Sequence, residues 1–157
     1  MATVSVIIPT HARPDLLPRA VDSARQAGTD VEIIVVDDAS TDETARVCQG
    51  LENIKYVRVE RNQGVAGARN LGIFVSTSDY IAFLDDDDLR LPGSLDHQLA
   101  ALKANPEAGF VCGANDHGRS GLSADRRSYS PASRRRRRIL GTAGTGLSDN
   151  AVMRVDS

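Results

Sequence analysis

The chain has 157 residues, 41% of them hydrophobic and 25% charged, with a net charge of −2. That length suits one domain with a core of ordinary size, and no apolar stretch approaches the roughly 18 residues of a membrane span. The total charge hides an asymmetry: residues 1–116 carry 10 basic and 18 acidic side chains, whereas residues 117–157 carry 9 arginines and 3 aspartates. The N-terminus shows no basic-then-apolar signal pattern. Cys48 and Cys112 match no metal or redox spacing and read as reduced core thiols, so the chain is expected to be cytoplasmic.

Val4 to Ile8 is a short apolar run of the kind that forms a buried strand. A helix is expected from about Pro14 to Gln26, with Leu17, Val21 and Ala24 as its apolar stripe and Gly28 beyond its end. Pro18 requires that the first turn be separate or kinked. Val31 to Val36 reads as a second strand, and Ser40-Thr41-Asp42-Glu43 as a capping box opening a helix that Gly50 ends. Ile54 to Glu60 alternates as a half-buried strand. Gly64 to Ser76 begins as a glycine-rich turn and continues as a helix carrying Leu71, Phe74 and Val75.

Tyr80 to Leu84 is the fourth strand. Ser94 can cap a helix with Leu95, Leu99 and Leu102 on one face, stopped by Asn105-Pro106, and Gly109 to Gly113 forms a further strand. Strands alternating with helices predict an α/β fold with a mainly parallel sheet and right-handed crossovers. The pattern divides the chain into residues 1–114, an Arg/Ser-rich irregular segment 115–138, and residues 139–157, where strand character returns weakly around Ala151-Val152-Met153. The run Arg134 to Arg138 reads first as a solvated segment. Its functional reading is attraction to anionic lipid or nucleic acid; of these, peripheral membrane contact is kept and no nucleic-acid partner is expected.

The chemistry concentrates at strand ends. Asp85, Asp86, Asp87 and Asp88 stand directly behind the fourth strand, where like charges repel unless a cation or hydrogen-bond donors compensate. Hard cations with oxygen ligands, Mg²⁺ or Mn²⁺, suit such a group. Asp37-Asp38 closes the second strand and Thr10-His11 the first, and ligands of open α/β sheets bind outside these carboxyl ends. A carboxylate there can accept the imide N–H of a pyrimidine or a ribose hydroxyl.

Arg61 to Asn70 places two glycines and two arginines at a helix start, where backbone N–H groups hold anions and Arg69 could grip a diphosphate. The spacing is neither a P-loop nor a dinucleotide fingerprint, and small residues needed for packing on the sheet explain it equally well. His11 and His97 read as a loop and a surface histidine.

Four segments together are familiar: Val4-Ser5-Val6-Ile7-Ile8-Pro9-Thr10, Val36-Asp37-Asp38-Ala39-Ser40-Thr41-Asp42, Asn62-Gln63-Gly64 through Ala68-Arg69-Asn70, and Phe83-Leu84-Asp85-Asp86-Asp87-Asp88 with Pro92. Over roughly residues 3–113 they resemble the family 2 glycosyltransferases of the GT-A (Rossmann-like) fold. The resemblance implies metal-dependent binding of a nucleotide-diphosphate sugar, with inverting transfer to an acceptor hydroxyl in polysaccharide biosynthesis. The acceptor class stays open between a saccharide, a lipid-linked sugar and a protein.

By the same resemblance Pro9, Thr10, Asp38, Arg69, Asp85 and Asp86 contact the donor, Asp38 at the base and Asp85 and Asp86 at the ribose or the metal, and Asp87 holds the metal. Two departures stand out. His11-Ala12 replaces a frequent Tyr-Asn pair, and the Gly-Gly-Phe-Asp-like run that precedes the family's catalytic base is missing, although Gly146 to Arg154 resembles the segment before it. The expectation is therefore a donor-binding half, incomplete at the C-terminus and inactive alone. The alternative is a non-catalytic nucleotide- or metal-binding module. A phospho-acceptor domain would put its acidic pair after strand one, and a nucleotidyltransferase a glycine-rich loop; Pro9-Thr10 occupies that place here.

Overall fold

A computed structural model describes residues 3–112 and 151–155. Among them, elements follow in the order β1 (Val4–Thr10), α1 (Leu17–Gln26), β2 (Val31–Asp37), α2 (Thr44–Gln49), β3 (Ile54–Arg58), α3 (Gly64–Val75), β4 (Tyr80–Phe83), α4 (Ser94–Ala104), β5 (Phe110–Cys112) and β6 (Ala151–Arg154). They build one sheet in the order β3-β2-β1-β4-β6-β5. The first four strands are mutually parallel, and β6 runs antiparallel between β4 and β5. The mainly parallel sheet expected from the alternation is what forms.

Alternation along the strands separates two apolar layers. Val4, Val6 and Ile8 of β1 pack with Ile33 and Val35 of β2 beneath α1, Cys48 of α2, and Leu95, Leu99 and Leu102 of α4. Ile7, Ile34, Val36 and Ile81 face the other way, against Ala68 and Leu71 of α3. The close approach of α3 explains its glycines in part. A Cβ on Gly72 would lie 2.3 Å from Ile7 Cγ2, so only glycine lets the helix sit there.

Pro9 shapes the functional edge. It has no N–H to donate, and the β1–β4 ladder ends just before it, with Leu84 N–H donating to the Ile7 carbonyl at 3.1 Å. The β2 side of the ladder continues to Thr10↔Asp37, which makes β1 two residues longer than the apolar run suggested. The chain beyond Leu84 is thereby released to turn over the end of β1.

Several boundaries differ from the sequence expectations. Helix α1 begins at Leu17, so Pro18 falls in its first turn, where no intrahelical N–H bond is lost. The capping box does not form: Glu43 is the N-cap residue of α2, and the Asp42 carboxylate accepts from the Thr44 N–H and hydroxyl. Ser40 is unavailable because its hydroxyl accepts the Ala12 N–H at 2.9 Å. Gly93, at φ 71°, is the N-cap residue of α4, with Ser94 its first helical residue.

Phe74 is 85% exposed, while Leu71 and Val75 of the same helix pack inward. Cys48 is buried, and burial with Asp37 nearby pushes its thiol up to about 11. Cys112 is exposed on β5 and is not a core thiol. No helix of the described residues is long and apolar enough to cross a membrane. The expectations for 115–138, including Arg134 to Arg138, lie outside the described residues, as does most of 139–157.

Candidate functional site

The ends of β1, β2 and β4 meet at one edge of the sheet and open into a cleft of about 430 Å³. Pro9, Thr10, His11 and Asp38 line it from the first two strands, and Asp85, Asp86 and Asp87 from the third. Arg13 reaches in from the loop before α1, and Val65 and Ala68 form the α3 wall. Six of the seven residues expected at the donor and metal thus share one cavity. The seventh, Arg69, is not on its wall. Its guanidinium donates to Asp85 Oδ1 at 2.7 Å and stacks over Phe83, 5.3 Å from the ring centroid.

The two aspartates ending β2 have different surroundings. Asp37 is fully buried and accepts from the Ser40 N–H at 2.8 Å and the Tyr56 hydroxyl at 2.6 Å, with Arg58 Nε 3.5 Å away. Burial and the bond to Asp37 push the Tyr56 hydroxyl far above its ordinary range. Asp37 therefore organises the turn after β2. Asp38 is 4% exposed and faces the cleft. Its Oδ1 accepts the Gln63 N–H at 2.8 Å, its carbonyl accepts from His11 Nδ1 at 2.7 Å, and its N–H donates to the Thr10 carbonyl at 2.9 Å. These bonds tie the three segments around the cleft together.

The strand-four carboxylates are graded by exposure. Asp86 is 6% exposed, with Oδ2 accepting the Thr10 hydroxyl at 2.7 Å and Oδ1 accepting from Arg13 at 3.0 Å. Asp87 is half exposed and accepts from the same Arg13 nitrogen at 2.9 Å. The Asp88 N–H donates to the Asp85 carbonyl at 3.1 Å and closes the turn. Asp86 first, and then Asp87, hold the Arg13 guanidinium above its already high ordinary pKa. Two arginines thus compensate the acidic run.

Below this turn Arg90 is buried. It donates to the Phe83 carbonyl at 3.0 Å, Gln98 Oε1 at 3.1 Å and the Ala151 carbonyl at 3.4 Å. It clips β4, α4 and β6 together just under the acidic residues.

Arg13, Gln63 and Tyr56 are the participants that sequence reasoning missed. For Arg13 a signal existed, since it is the one basic residue between the end of β1 and the start of α1. Among the described residues no three His, Cys, Asp or Glu side chains gather into a metal cage. A magnesium site, however, typically uses one or two carboxylates and fills its remaining positions with water and substrate phosphates. Asp87, half exposed on the cleft wall and bonded among the described residues only to Arg13, fits that donor set.

Helices on both faces of a mainly parallel sheet, a single antiparallel insertion and a carboxylate-lined cleft at the strand ends define a GT-A-like α/β protein. The profile of the family described as Glycosyl transferase family 2 matches residues 5–157, and the chain belongs to that family. An uncharacterized glycosyltransferase of Haemophilus influenzae is 32% identical over 109 residues, which span 69% of this chain and 37% of that protein. The GalNAc(5)-diNAcBac-PP-undecaprenol beta-1,3-glucosyltransferase of Campylobacter jejuni is 40% identical over 119 residues, 72% of this chain and 38% of that protein.

The crystal structure of S. aureus TarS 1-349 superposes with a TM-score of 0.68 at 22% identity, covering 97% of this chain and 47% of that one. The same protein in complex with UDP-GlcNAc superposes with a TM-score of 0.62 at 25% identity, covering 77% and 37%. The chain therefore spans less than half the length of each of these relatives.

Proposed function

We propose that the cleft is the donor site of a glycosyltransferase, binding a nucleotide-diphosphate sugar together with Mg²⁺ or Mn²⁺ for inverting transfer to an acceptor hydroxyl. The observation that carries this reading is the convergence of Thr10, Asp38, Asp86 and Asp87 on one cavity, in a chain of this family. The TarS complex with UDP-GlcNAc supports the donor class, and the undecaprenol-linked substrate in the name of the Campylobacter relative supports a lipid-linked sugar as acceptor.

Asp38 would accept a hydrogen bond from the base, since its Oδ2 has no partner among the described residues. Asp86, locked by Thr10 and Arg13, sets the floor against which ribose or diphosphate rests. Asp87 would hold the cation with the donor phosphates, and a bound cation supplies charge neutralisation at the leaving diphosphate. During transfer the acceptor oxygen bonds to the anomeric carbon as the carbon–oxygen bond to the diphosphate breaks, and a base takes the hydroxyl proton. The cleft carboxylates Asp38, Asp85 and Asp86 are held by Gln63, Arg69, Thr10 and Arg13. None of these three is therefore assigned as the base, and because the Gly-Gly-Phe-Asp-like run is missing from the sequence we expect this chain alone to bind donor without transferring sugar. Transfer to an undecaprenyl-linked acceptor by the purified chain would overturn that expectation.

Metal dependence is tested by calorimetric titration of UDP with Mg²⁺ and again with EDTA. Binding is expected only with the cation, and Asp87→Asn should remove the difference. Equal affinity in both titrations would take the metal out of the mechanism.

A further inference from the structure

Arg13 Nη1 bridges two carboxylates, 3.0 Å from Asp86 Oδ1 and 2.9 Å from Asp87 Oδ2. Asp86 has a second anchor in Thr10, whereas Asp87 has Arg13 as its one partner among the described residues. That carboxylate is also the one assigned to the divalent cation above. A cation there would stand within a few ångströms of a guanidinium, and like charges so close repel strongly. The two therefore compete for Asp87. Arg13 is half exposed and bridges exposed as well as buried oxygen, so leaving Asp87 costs it little. The donor's diphosphate would enter the same cleft and offer a planar, bidentate partner for the freed guanidinium.

We propose that Arg13 is a placeholder cation: it occupies the Asp87 carboxylate in the empty site, yields it to the divalent metal, and then turns to the diphosphate. The proposal rests on the donor-site reading above. It makes metal and donor bind cooperatively, because the metal releases the group that grips the donor. It also keeps the acidic turn folded when no ligand is present.

The test separates the two events. Mn²⁺ binding without nucleotide is read from the free-ion EPR signal for the native chain, Arg13→Gln and Arg25→Gln. Arg25 pairs with Asp22 on α1 and removes the same charge without touching the cleft. Loss of Arg13 is expected to tighten Mn²⁺ about fivefold, the scale of a half-exposed ion pair, and loss of Arg25 to change it less than about twofold. With Mn²⁺ saturating, calorimetry should show UDP binding Arg13→Gln about tenfold more weakly, the loss of one charge-assisted hydrogen bond, with partial recovery in Arg13→Lys.

Thermal melting of each variant reports whether it folds. Mn²⁺ affinity that is unchanged or weaker in Arg13→Gln would overturn the placeholder role and leave the donor reading standing. Unchanged UDP affinity in that variant would overturn the hand-over. Absence of Mn²⁺ binding in both native chain and variant would sink the metal assignment and the placeholder together, while UDP binding in EDTA would still preserve the donor site.

Discussion

Asp38 and Ala12 show how much single positions carry. Asp38 holds the Gln63 N–H through one oxygen, so truncation to alanine would disturb the α3 entry as well as any ligand. Asp38→Asn keeps an acceptor for Gln63 and converts the other oxygen into a donor. UDP affinity is expected to fall by about 1–3 kcal/mol with little change in melting temperature, measured by calorimetry and thermal denaturation on one sample. Unaltered UDP affinity would return Asp38 to a purely structural role. Ala12 sits at φ 54° and Ala39 at φ 62°, so both strand-end turns beside the cleft pass through a left-handed residue that has a Cβ. That conformation strains most side chains and suits Asn better. The departure from Tyr-Asn at His11-Ala12 thus has a backbone meaning, and Ala12→Asn should stabilise the chain by roughly 0.5–1 kcal/mol in urea unfolding. Strand-end placement pointed to the Thr10, Asp37-Asp38 and Asp85 to Asp88 clusters, and the family resemblance singled out Pro9, Asp38 and Asp87; Pro9, Thr10, Asp38 and Asp85 to Asp87 line the cleft. The Tyr56–Asp37, Arg13–Asp86 and Arg69–Asp85 bonds could not be read from the sequence, because each links residues at least 16 positions apart and depends on how the loops fold back.

Among the elements, the strands were legible because β1, β2 and β4 are largely buried on both faces and carry runs of three or four consecutive apolar residues. The helix starts were less so, since Ser40 and Ser94 carry the chemistry of a cap without occupying the cap position. Helix α3 had two readings, anion binding or small-residue packing. Those readings concern Arg61 to Asn70, where Ala68 packs on the sheet and Gly64, at φ 74° with nothing near its Cβ position, serves the turn; Gly72, beyond that segment, is the glycine that packs against Ile7. Gly72→Ala should therefore cost about 1–3 kcal/mol through overpacking against Ile7. Gly109→Ala, which meets nothing within 4 Å, should stay within about 0.5 kcal/mol. Urea midpoints of the two variants decide the matter, and similar values would mean that α3 can shift away from β1 at no cost.

At the scale of the whole molecule the sheet depends on a strand from far along the chain. Val152 is fully buried, paired with Ala82 on one side and Val111 on the other, and burial of such a side chain is worth about 1.5–3 kcal/mol. Deleting residues 151–157 should lower the unfolding free energy read from urea titration by at least that much and leave the Val111 amide exchanging as fast as an unpaired loop. Retained protection at Val111 would mean that β5 docks on β4 directly. The weak apolar signal at Ala151-Val152-Met153 was enough to suggest a strand but held no hint of its neighbours, because antiparallel insertion is decided by the open edge of β4. That insertion also sets an order of events in translation. Cys112 is synthesised 39 positions before its partner Ala151, an interval of about 2–8 s at ordinary elongation rates. Throughout it the nascent chain lacks the strand that covers the β4 edge, and β5, although made first, has no strand to pair with. Among the described strands the one made last is thus the one that joins β5 to β4, and a chaperone holding that edge would act in this interval.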